Sequence, residues 1–403
     1  MALEVTNREV VSVPNIQNSE NNELVTLCLT AFSKPKLAQR KIKTEQAMKM
    51  ALTINKDAQK MGTKAKEIFE KASENKRAKL LSEKKFFVAT PAKVDVGAFK
   101  TCKFALQLGF NDQFEMKTVE LVVQLKTGLC HKRVELEKEF KATRKFQGEP
   151  FIVKLLSGSI IQVKDDFQME LFLEACDGSL DDLLDPLPWP LSFQEKLVLA
   201  TDAIKAVDYL HKKGYVHRDL KPGNFLMKDN RLKLCDFGAA TPLNISGQEL
   251  LDFDLATLAY NSPELIGSYR DFAGSVPKTD IFALGATLWQ LFHDAPVPWL
   301  DEVEKLAQEK KKYAGVKIFS FREKLKKDQE RIEKEIQQYL TERLSKDRDS
   351  PPAKALAIIA KLLCPEATRI ELHEALSMLE NLAGMSDGSS AKSAETNNLA
   401  TSA

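Results

Sequence analysis

The chain has 403 residues, of which 43% are apolar and 29% are charged, and its formal net charge is +2. A chain of this length exceeds one ordinary hydrophobic core, so two or three packed units are expected. So small a net charge gives no reason to expect binding to nucleic acid.

Cysteine usage and the N-terminal sequence bear on the compartment. The six cysteines form no C-x-x-C pair, which predicts neither a zinc site nor a disulfide framework. The first residues lack a basic start followed by an apolar core, and no apolar run is long enough to span a membrane. We therefore expect a cytoplasmic protein, which would act in a host cytosol if its source is an intracellular microbe.

Residues 1–85 are predicted to form a helical N-terminal extension. Spacings of three and four place one set of residues on a single helix face: Ala47, Ala51, Ile54, Ala58, Met61, Ala65, Ile68 and Ala72. Because most of them are alanine, this helix is expected to pack closely on another part of the same chain. The alternative is an arm that binds a protein partner.

Residues 86–174 have the pattern of strands with one helix. Short runs rich in Val, Phe and Leu predict three strands, in KFFVATPAKVDV, KFALQLGF and TVELVVQLKT. A helix is predicted in RVELEKEFKATRKFQ, followed by two further strands in PFIVKLLSGSIIQV and FQMELFLEA. The predicted fold class is therefore α+β, with these strands in one small lobe.

Residues 175–382 are predicted to be mainly helical. Ser192 and Glu195 form the reciprocal capping pattern at the start of one long helix. The charged stretch at 299–350 is predicted to be a helical insertion, a pair of surface helices with Ile332 and Ile336 on one apolar face. The small polar residues of 383–403 predict a disordered tail.

The stretch HRDLKPGNFLMKDNRLKLCDFG, residues 217–238, contains four polar side chains that together could carry out chemistry. They are Asp219, Lys221, Asn224 and Asp236. A carboxylate that accepts a hydroxyl proton, a lysine that neutralises phosphate charge and two oxygen ligands for Mg²⁺ together form the polar apparatus of phosphoryl transfer. The run RLKLC is typical of a strand, which would return Asp236 to the loop that holds Asp219 and Asn224.

The motifs HRDLKPGN and DFG resemble the catalytic loop and the metal-binding turn of eukaryotic-type serine/threonine protein kinases. Downstream, TLAYNSPE resembles the end of that family's activation segment, and DIFALGATLWQLF resembles its central buried helix. The resemblance implies a bilobal protein-kinase-like fold over residues 86–382, with an N-lobe at 86–174 and a C-lobe at 175–382.

The resemblance also implies a role for each of the four side chains. Asp219 is expected to be the catalytic base or the group that orients the hydroxyl, and Lys221 to contact the γ-phosphate. Asn224 and Asp236 are the expected Mg²⁺ ligands. A lysine at position 221 is the choice of serine/threonine kinases, and His217 is expected to be a packed core residue.

Upstream, the family resemblance assigns Lys126 to the α- and β-phosphates of ATP. Its expected partner is a glutamate on the following helix, where Glu135, Glu137 and Glu139 compete. We prefer Glu139, because it leaves the most room for a turn after Lys126. The alternative for all three glutamates is a solvated helix face.

The linker between the lobes is expected to bind the adenine. Leu173 would be the gatekeeper beside the base, with backbone groups of Glu174 to Cys176 at its edge. Ser179 or Asp182 could contact the ribose, but both are equally suited to starting a helix.

The glycine-rich loop departs from the family pattern. VDVGAFKTCKF offers only Gly97, where the family has three glycines that let backbone N–H groups approach the phosphates. Gln124 stands where the family has a small residue over the adenine. Both departures predict weak ATP binding.

The resemblance also implies a set of regulatory and structural residues: Arg218, Thr257, Glu264, Asp280 and Arg369. Glu264 is expected to pair with Arg369. Arg218 is expected to need an anionic partner from the activation segment, and Asp252 or Asp254 could supply it without phosphorylation. The alternative for these two aspartates is a solvated surface loop.

The implied function is transfer of the γ-phosphate of ATP, with Mg²⁺, to serine or threonine hydroxyls of protein substrates. The alternative is a pseudokinase scaffold that binds partners through the N-terminal helices and the 299–350 insertion. The four intact side chains favour the enzyme. A small-molecule phosphotransferase is a more distant alternative, because it would not be expected to carry DFG followed by SPE.

Overall fold

The protein is described from a computed structural model. The residues that it describes are 27, 30, 31, 85–96, 100–111, 116–184, 191–244, 260–267, 274–293, 299 and 319–397. Several predicted features lie outside them: the helix at 47–72, Gly97, Asp252, Asp254, Thr257 and the end of the tail at 398–403. The chain divides into two compact units, Met1–Leu125 and Lys126–Ala403.

The first unit contains antiparallel strands. They are β1 (Lys85–Val96), β2 (Lys100–Phe110) and most of β3 (Met116–Thr127). Strands β1 and β2 pair antiparallel, and β3 lies next to β2. Leu106, Leu108 and Val122 are almost fully buried and form part of its core. Apart from the strands, Leu27, Thr30 and Ala31 are helical.

The second unit begins with the last residues of β3 and continues with a helix and a hairpin. These elements are α1 (Arg133–Lys145), β4 (Leu155–Val163) and β5 (Asp166–Glu174). Strands β4 and β5 pair antiparallel. Thr127 ties the end of β3 to β5, since its hydroxyl accepts from the Met169 amide at 3.0 Å and its carbonyl from Gln168 at 2.7 Å. The predicted order of three strands, one helix and two strands is confirmed.

The rest of the second unit is mainly helical, with short strands between its first helices. In chain order the elements are β6 (Gly178–Ser179), α2 (Leu180–Leu184), α3 (Phe193–Lys212), β7 (Tyr215–Val216), β8 (Phe225–Lys228), β9 (Arg231–Leu234), β10 (Thr241–Pro242), α4 (Pro263–Gly267), α5 (Val276–His293), α6 (Phe319–Ser345), α7 (Pro351–Leu362) and α8 (Leu372–Asn397). The predicted capping box of Ser192 and Glu195 is present at the start of α3.

Helix α5 lies at the centre of the helical core. Its residues from Thr279 to Leu291 are all buried. A Cβ at Gly285 would lie 2.9 Å from the Leu362 side chain, so the absence of a side chain lets α5 and α7 approach closely. The predicted central buried helix is therefore confirmed.

The 299–350 insertion and the tail can be compared with their predictions only in part. Helix α6 spans 27 residues and has the predicted apolar face, since Ile332, Ile336 and Leu340 are buried in the main core. The rest of the predicted pair of helices falls at 300–318, outside the described residues. Helix α8 continues to Asn397, into the segment predicted to be disordered. Within the described ranges, no helix combines the length and the hydropathy needed to cross a membrane.

Candidate active site

The loop between β7 and β8 brings together three of the predicted catalytic side chains. Lys221 Nζ lies 3.0 and 3.3 Å from the two carboxylate oxygens of Asp219. The Asn224 amide donates to the Asp219 backbone carbonyl at 2.7 Å and to its carboxylate at 2.9 Å. Asp219 and Lys221 keep about a quarter of their side-chain surface exposed, at 23% and 28%, so the cluster is open to a substrate.

The buried carboxylate of Asp280 binds the backbone of this loop. This carboxylate, which is 1% exposed, accepts from the backbone amides of His217 and Arg218 at 2.7 and 2.9 Å, and lies 3.1 Å from His211 Nε2. Burial alone would raise the pKa of Asp280, but the hydrogen bonds from the His211 side chain and the His217 backbone amide outweigh it and keep that pKa below its usual value. The carboxylate is therefore ionised at neutral pH.

Arg218 has a strained backbone, and the hydrogen bond from its amide to Asp280 helps to offset the cost. Its φ of 69° lies in the left-handed region, which costs a non-glycine residue about 1–3 kcal/mol. Burial lowers the pKa of Arg218 to about 10, and the charge of Asp280 opposes part of that shift. The guanidinium stays charged at neutral pH. Asp252 and Asp254, its predicted partners, lie outside the described residues, so that pairing stays a prediction.

His217 links the catalytic loop to the residue before Asp236. Its Nδ1 accepts from the Asp219 amide at 3.3 Å, and its Nε2 lies 3.0 Å from the Cys235 carbonyl. This network fits a neutral imidazole with its proton on Nε2, a tautomer assigned from the hydrogen bonds. The ring is fully buried and packs against Phe237, so the predicted core role of His217 is confirmed.

The two predicted metal ligands come from neighbouring chain segments. The Cys235 amide donates to the Asn224 carbonyl at 2.9 Å, which places Asp236 beside Asn224. Asp236 has a left-handed backbone, with φ 60°, and its carboxylate accepts from the Gly238 amide. The Asn224 amide nitrogen faces Asp219, so its oxygen points away from that carboxylate. One amide oxygen and one carboxylate fit the oxygen ligands that Mg²⁺ prefers.

Lys126 makes a different ion pair from the predicted one. Its ammonium lies 3.0 Å from Glu170 on β5, and the two side chains are 39% and 21% exposed. The pair recorded for Lys126 is therefore with the neighbouring strand and not with Glu139 on α1. Sequence spacing could not predict that Lys126 pairs with Glu170, because a cross-strand neighbour depends on the register of β3 and β5. A role for Glu139 in nucleotide binding stays a prediction.

The end of β5 is held by a charged cluster that sequence reasoning missed. Glu174 is 10% exposed, and its carboxylate lies 2.5 Å from Lys228 Nζ and 2.7 Å from Lys233 Nζ. It also accepts from the Lys154 amide at 2.8 Å. Burial would raise the pKa of Glu174, but these hydrogen bonds outweigh it and hold that pKa below its usual value. We call Glu174, Lys228 and Lys233 the Glu174 clamp.

Leu173 and Cys176 lie on either side of Glu174 and are partly buried. Burial, with the nearby charge of Glu174, raises the pKa of the Cys176 thiol to about 12. The thiol is therefore neutral at physiological pH and is a poor nucleophile. At the start of α2 the Ser179 hydroxyl donates to the Asp182 carboxylate and accepts from the Asp182 backbone amide. These contacts are typical of a helix N-cap.

The predicted pair of Glu264 and Arg369 is formed. Two guanidinium nitrogens of Arg369 lie 2.6 and 3.2 Å from the two Glu264 carboxylate oxygens, and Arg369 also donates to the backbone carbonyls of Cys364 and Lys278. Both side chains are buried, at 1% and 10% exposure. This bidentate contact joins α4 to the segment before α8.

Comparison with known proteins now identifies the family. Residues 91–377 match the protein kinase domain model, which covers most of the chain. The chain belongs to the protein kinase family. The antiparallel-sheet lobe and the helical lobe predicted for this kinase are confirmed as its fold class.

Curated relatives match shorter parts of the kinase. The chain is 43% identical over 98 residues to the interferon-induced, double-stranded RNA-activated protein kinase of Rattus norvegicus, which is 24% of this chain and 18% of the relative. It is 30% identical over 217 residues to the serine/threonine-protein kinase PKH2 of Saccharomyces cerevisiae, 50% of this chain and 18% of the relative. It is 30% identical over 154 residues to the 3-phosphoinositide-dependent protein kinase 1 of Arabidopsis thaliana, 35% and 29% respectively. The chain thus spans less than a third of each relative.

Two predicted features of this kinase concern its first unit. Gly97 lies outside the described residues, so the glycine-rich loop remains a sequence prediction. Gln124 is 5% exposed within the first unit. Its predicted effect on adenine binding stays untested.

The residues that sequence reasoning missed had no local signal. Lys233 alternates with Leu232 and Leu234 along β9, a pattern that predicts only a solvent-facing side chain. Lys228 ends β8 beside a turn, where lysine is ordinary. The acid that both meet is more than fifty positions away in the chain. Only the pairing of the strands shows that the three side chains meet.

Proposed function

We propose that this chain is an active, Mg²⁺-dependent protein kinase that transfers the γ-phosphate of ATP to serine or threonine hydroxyls of protein substrates. The observation that carries the proposal is the loop in which Asp219 contacts both Lys221 and Asn224. Each of these groups has a task in phosphoryl transfer, and they lie within hydrogen-bond distance of one another.

Asp219 would receive or orient the proton of the attacking hydroxyl. Its carboxylate is fixed by Lys221 and Asn224, so little side-chain freedom is left to lose when a substrate binds. Lys221 is close enough to the same carboxylate to contact a phosphate that approaches it. Its charge would offset the negative charge that the transferring group spreads over its oxygens.

Asn224 and Asp236 would hold the metal ion. Their backbones are joined through the Cys235 amide, and the carboxylate of Asp236 is oriented by the Gly238 amide. A Mg²⁺ ion held by these two residues would supply positive charge against the phosphates. Asp219 is not proposed as a metal ligand, because its carboxylate accepts a hydrogen bond from the amide nitrogen of Asn224.

The backbone of residues 174–176 is the proposed edge for the adenine. The Glu174 carboxylate is bound by two lysines, so at residue 174 only the main chain is left to bind a base. Leu173 precedes it as the proposed gatekeeper. Lys126, Glu139 and Gly97 are proposed to contact or support the phosphates.

A preference for serine and threonine is supported by Lys221 and by the relatives. Lysine at this position is the choice of serine/threonine kinases. The Saccharomyces cerevisiae relative is named as a serine/threonine-protein kinase. The proposed substrates are therefore proteins that present a serine or a threonine to the loop of Asp219.

The test is a phosphate-transfer assay with three peptides that differ only in the acceptor, which is serine, threonine or tyrosine. We expect transfer from γ-labelled ATP to the serine and threonine peptides, abolished by a chelator of Mg²⁺. The Asp219→Asn protein, purified in parallel, controls for contaminating kinases. Transfer to tyrosine alone would overturn the acceptor assignment. Equal signal from wild type and Asp219→Asn would overturn the enzyme and favour a scaffold.

A further inference from the structure

The Glu174 clamp joins two parts of the proposed nucleotide site. Glu174 ends β5, at the start of the proposed adenine edge. Lys228 and Lys233 belong to the β8–β9 hairpin, and each makes an ion pair with one carboxylate oxygen of Glu174. One carboxylate thus receives two ammonium groups and the Lys154 amide, in a site where it is 10% exposed.

The β8–β9 hairpin also presents both proposed metal ligands. Strand β8 starts at the residue after Asn224, and β9 ends two residues before Asp236. The pairing of Phe225 with Leu234 holds these two ends together. Any movement of the hairpin relative to Glu174 therefore moves the metal ligands relative to the adenine edge.

Backbone hydrogen bonds also hold the same two parts. The Asp177 amide donates to the Met227 carbonyl at 2.6 Å, and Gly178 pairs with the same residue. On the other side, the Val153 amide donates to the Leu234 carbonyl at 3.0 Å. These backbone contacts come from residues 153 and 177–178, and the Glu174 carboxylate adds a side-chain contact to the same hairpin.

We propose that Glu174, through Lys228 and Lys233, sets the spacing between the adenine edge at 174–176 and the hairpin that presents Asn224 and Asp236. This proposal rests on the proposed function, because it uses the nucleotide site assigned there. Glu174 is a positioning residue: its carboxylate is directed at the lysines, and only its backbone belongs to the adenine edge. The clamp would raise the affinity for ligands that contact both the adenine edge and the metal ligands.

Charge explains why glutamate is needed at this position. Two ammonium groups on one partly buried carboxylate attract it from both strands and would repel each other without it. Glutamine keeps the size and one acceptor oxygen, but it removes the negative charge and leaves the two lysines facing each other. The Glu174→Gln change should therefore let the hairpin move away from β5 without removing a side chain.

The experiment compares two ligands by calorimetric titration. Adenosine uses only the adenine end of the site, whereas Mg·ATP uses both ends. In Glu174→Gln we expect the affinity for Mg·ATP to fall about tenfold, while the affinity for adenosine changes less than about twofold. Glu330→Gln, the same change at an exposed carboxylate on α6, should leave both affinities as in wild type.

A second variant guards against a protein that fails to fold. Lys233→Met removes one ammonium and keeps the apolar stem, and it should lower the Mg·ATP affinity by a smaller factor. Combined with Glu174→Gln, it should recover part of the lost affinity, since the repulsion between the two lysines is gone. A merely structural role predicts that the two losses add.

The results separate this proposal from the proposed function. Equal losses for adenosine and Mg·ATP, an unchanged Mg·ATP affinity in Glu174→Gln, or additive losses in the double variant would overturn the clamp. Wild type that binds neither ligand would overturn the clamp together with the assigned adenine edge. Wild type that binds both ligands in the expected way, but transfers no phosphate, would contradict only the proposed enzyme.

Discussion

The catalytic loop and the end of β3 hold their charged side chains in different ways. In the loop, Asp219 has contacts to Lys221 and Asn224, and the backbone beneath it is bound by the buried carboxylate of Asp280. At the end of β3, Lys126 pairs with Glu170 in a contact whose side chains are 39% and 21% exposed. Several hydrogen bonds thus hold the side chains of the loop, whereas the ion pair of Lys126 is partly screened by solvent.

The energies of the two regions follow from this difference. An exposed ion pair contributes about 0–1 kcal/mol, because water and salt screen it and two long side chains must be ordered. A buried carboxylate that accepts several hydrogen bonds costs far more to disturb. We therefore expect substitutions in the loop to abolish catalysis, and substitutions at Glu170 to be nearly silent.

The largest effect is expected from the loop. Asp219→Asn should lower the transfer rate by about 10²–10⁴-fold, because the proposed general base is lost, while ATP binding stays close to wild type. Asp236→Asn should lose transfer and should also weaken Mg²⁺-dependent ATP binding. Rates from single-turnover assays and affinities from calorimetry check both statements. Asp165→Asn, an exposed aspartate in the β4–β5 turn, is the matched control.

The next effect tests whether Lys126 changes partners when the nucleotide binds. Lys126→Met should lower kcat/KM by about tenfold to a hundredfold, since a phosphate contact in the transition state is removed. Glu139→Gln should lower it too if the lysine moves to α1 in the bound state. Steady-state kinetics with ATP as the varied substrate measure both. A silent Glu139→Gln beside a damaging Lys126→Met would show that Glu139 is not the partner.

The contribution of the Glu174 clamp to the free energy of unfolding should stay constant over a broad range of pH. The folded pKa of Glu174 lies below its ordinary 4.5, so its contribution is complete above pH 4.5 and is lost as the pH falls through the folded value. The folded pKa of Lys228 lies above its ordinary 10.5, despite burial that opposes this, because Glu174 binds it; its contribution is lost as the pH rises through that value.

The measurement that checks this prediction is the free energy of unfolding by denaturant at several pH values. The difference between wild type and Glu174→Gln should be constant from about pH 5 to pH 10, and it should shrink below pH 4.5. Glu330→Gln should show no such dependence. A difference that grows in acid would mean that the folded pKa of Glu174 lies above its ordinary value.

The smallest effect is expected at Glu170. Glu170→Gln should change the free energy of unfolding by less than about 1 kcal/mol, because solvent partly screens the pair with Lys126. The KM for ATP should stay the same or fall slightly, since Lys126 loses a competitor for the phosphates. Denaturant titration and steady-state kinetics decide the matter. A large loss of activity would place Glu170 in the site and reverse the contrast between the two regions.

Short-range features could be predicted well from the sequence. The capping box at Ser192 and the contacts of Asp219 with Asn224 depend on residues three to five positions apart, where spacing fixes geometry. The family resemblance added the long-range pair of Glu264 and Arg369, which the structure forms. Residue spacing alone gives no reason for that pair.

Other features could not be predicted, because they depend on strand register or on packing. The partner of Lys126 is set by the alignment of β3 with β5, and a slip of one residue changes which side chain it meets. The clamp at Glu174 joins strands that are distant in sequence. The apolar face of α6, with Ile332 and Ile336, was found from its periodicity, but its burial in the core depends on the helices around it.

The most direct test of the central claim is a mass measurement of phosphate transferred to a serine peptide. Purified wild type and Asp219→Asn would each be incubated with saturating ATP and Mg²⁺, with ATP binding measured on the same samples. The account predicts that both proteins bind ATP and that only wild type adds phosphate to the peptide. Wild type that binds ATP but leaves the peptide unmodified, like Asp219→Asn, would contradict it.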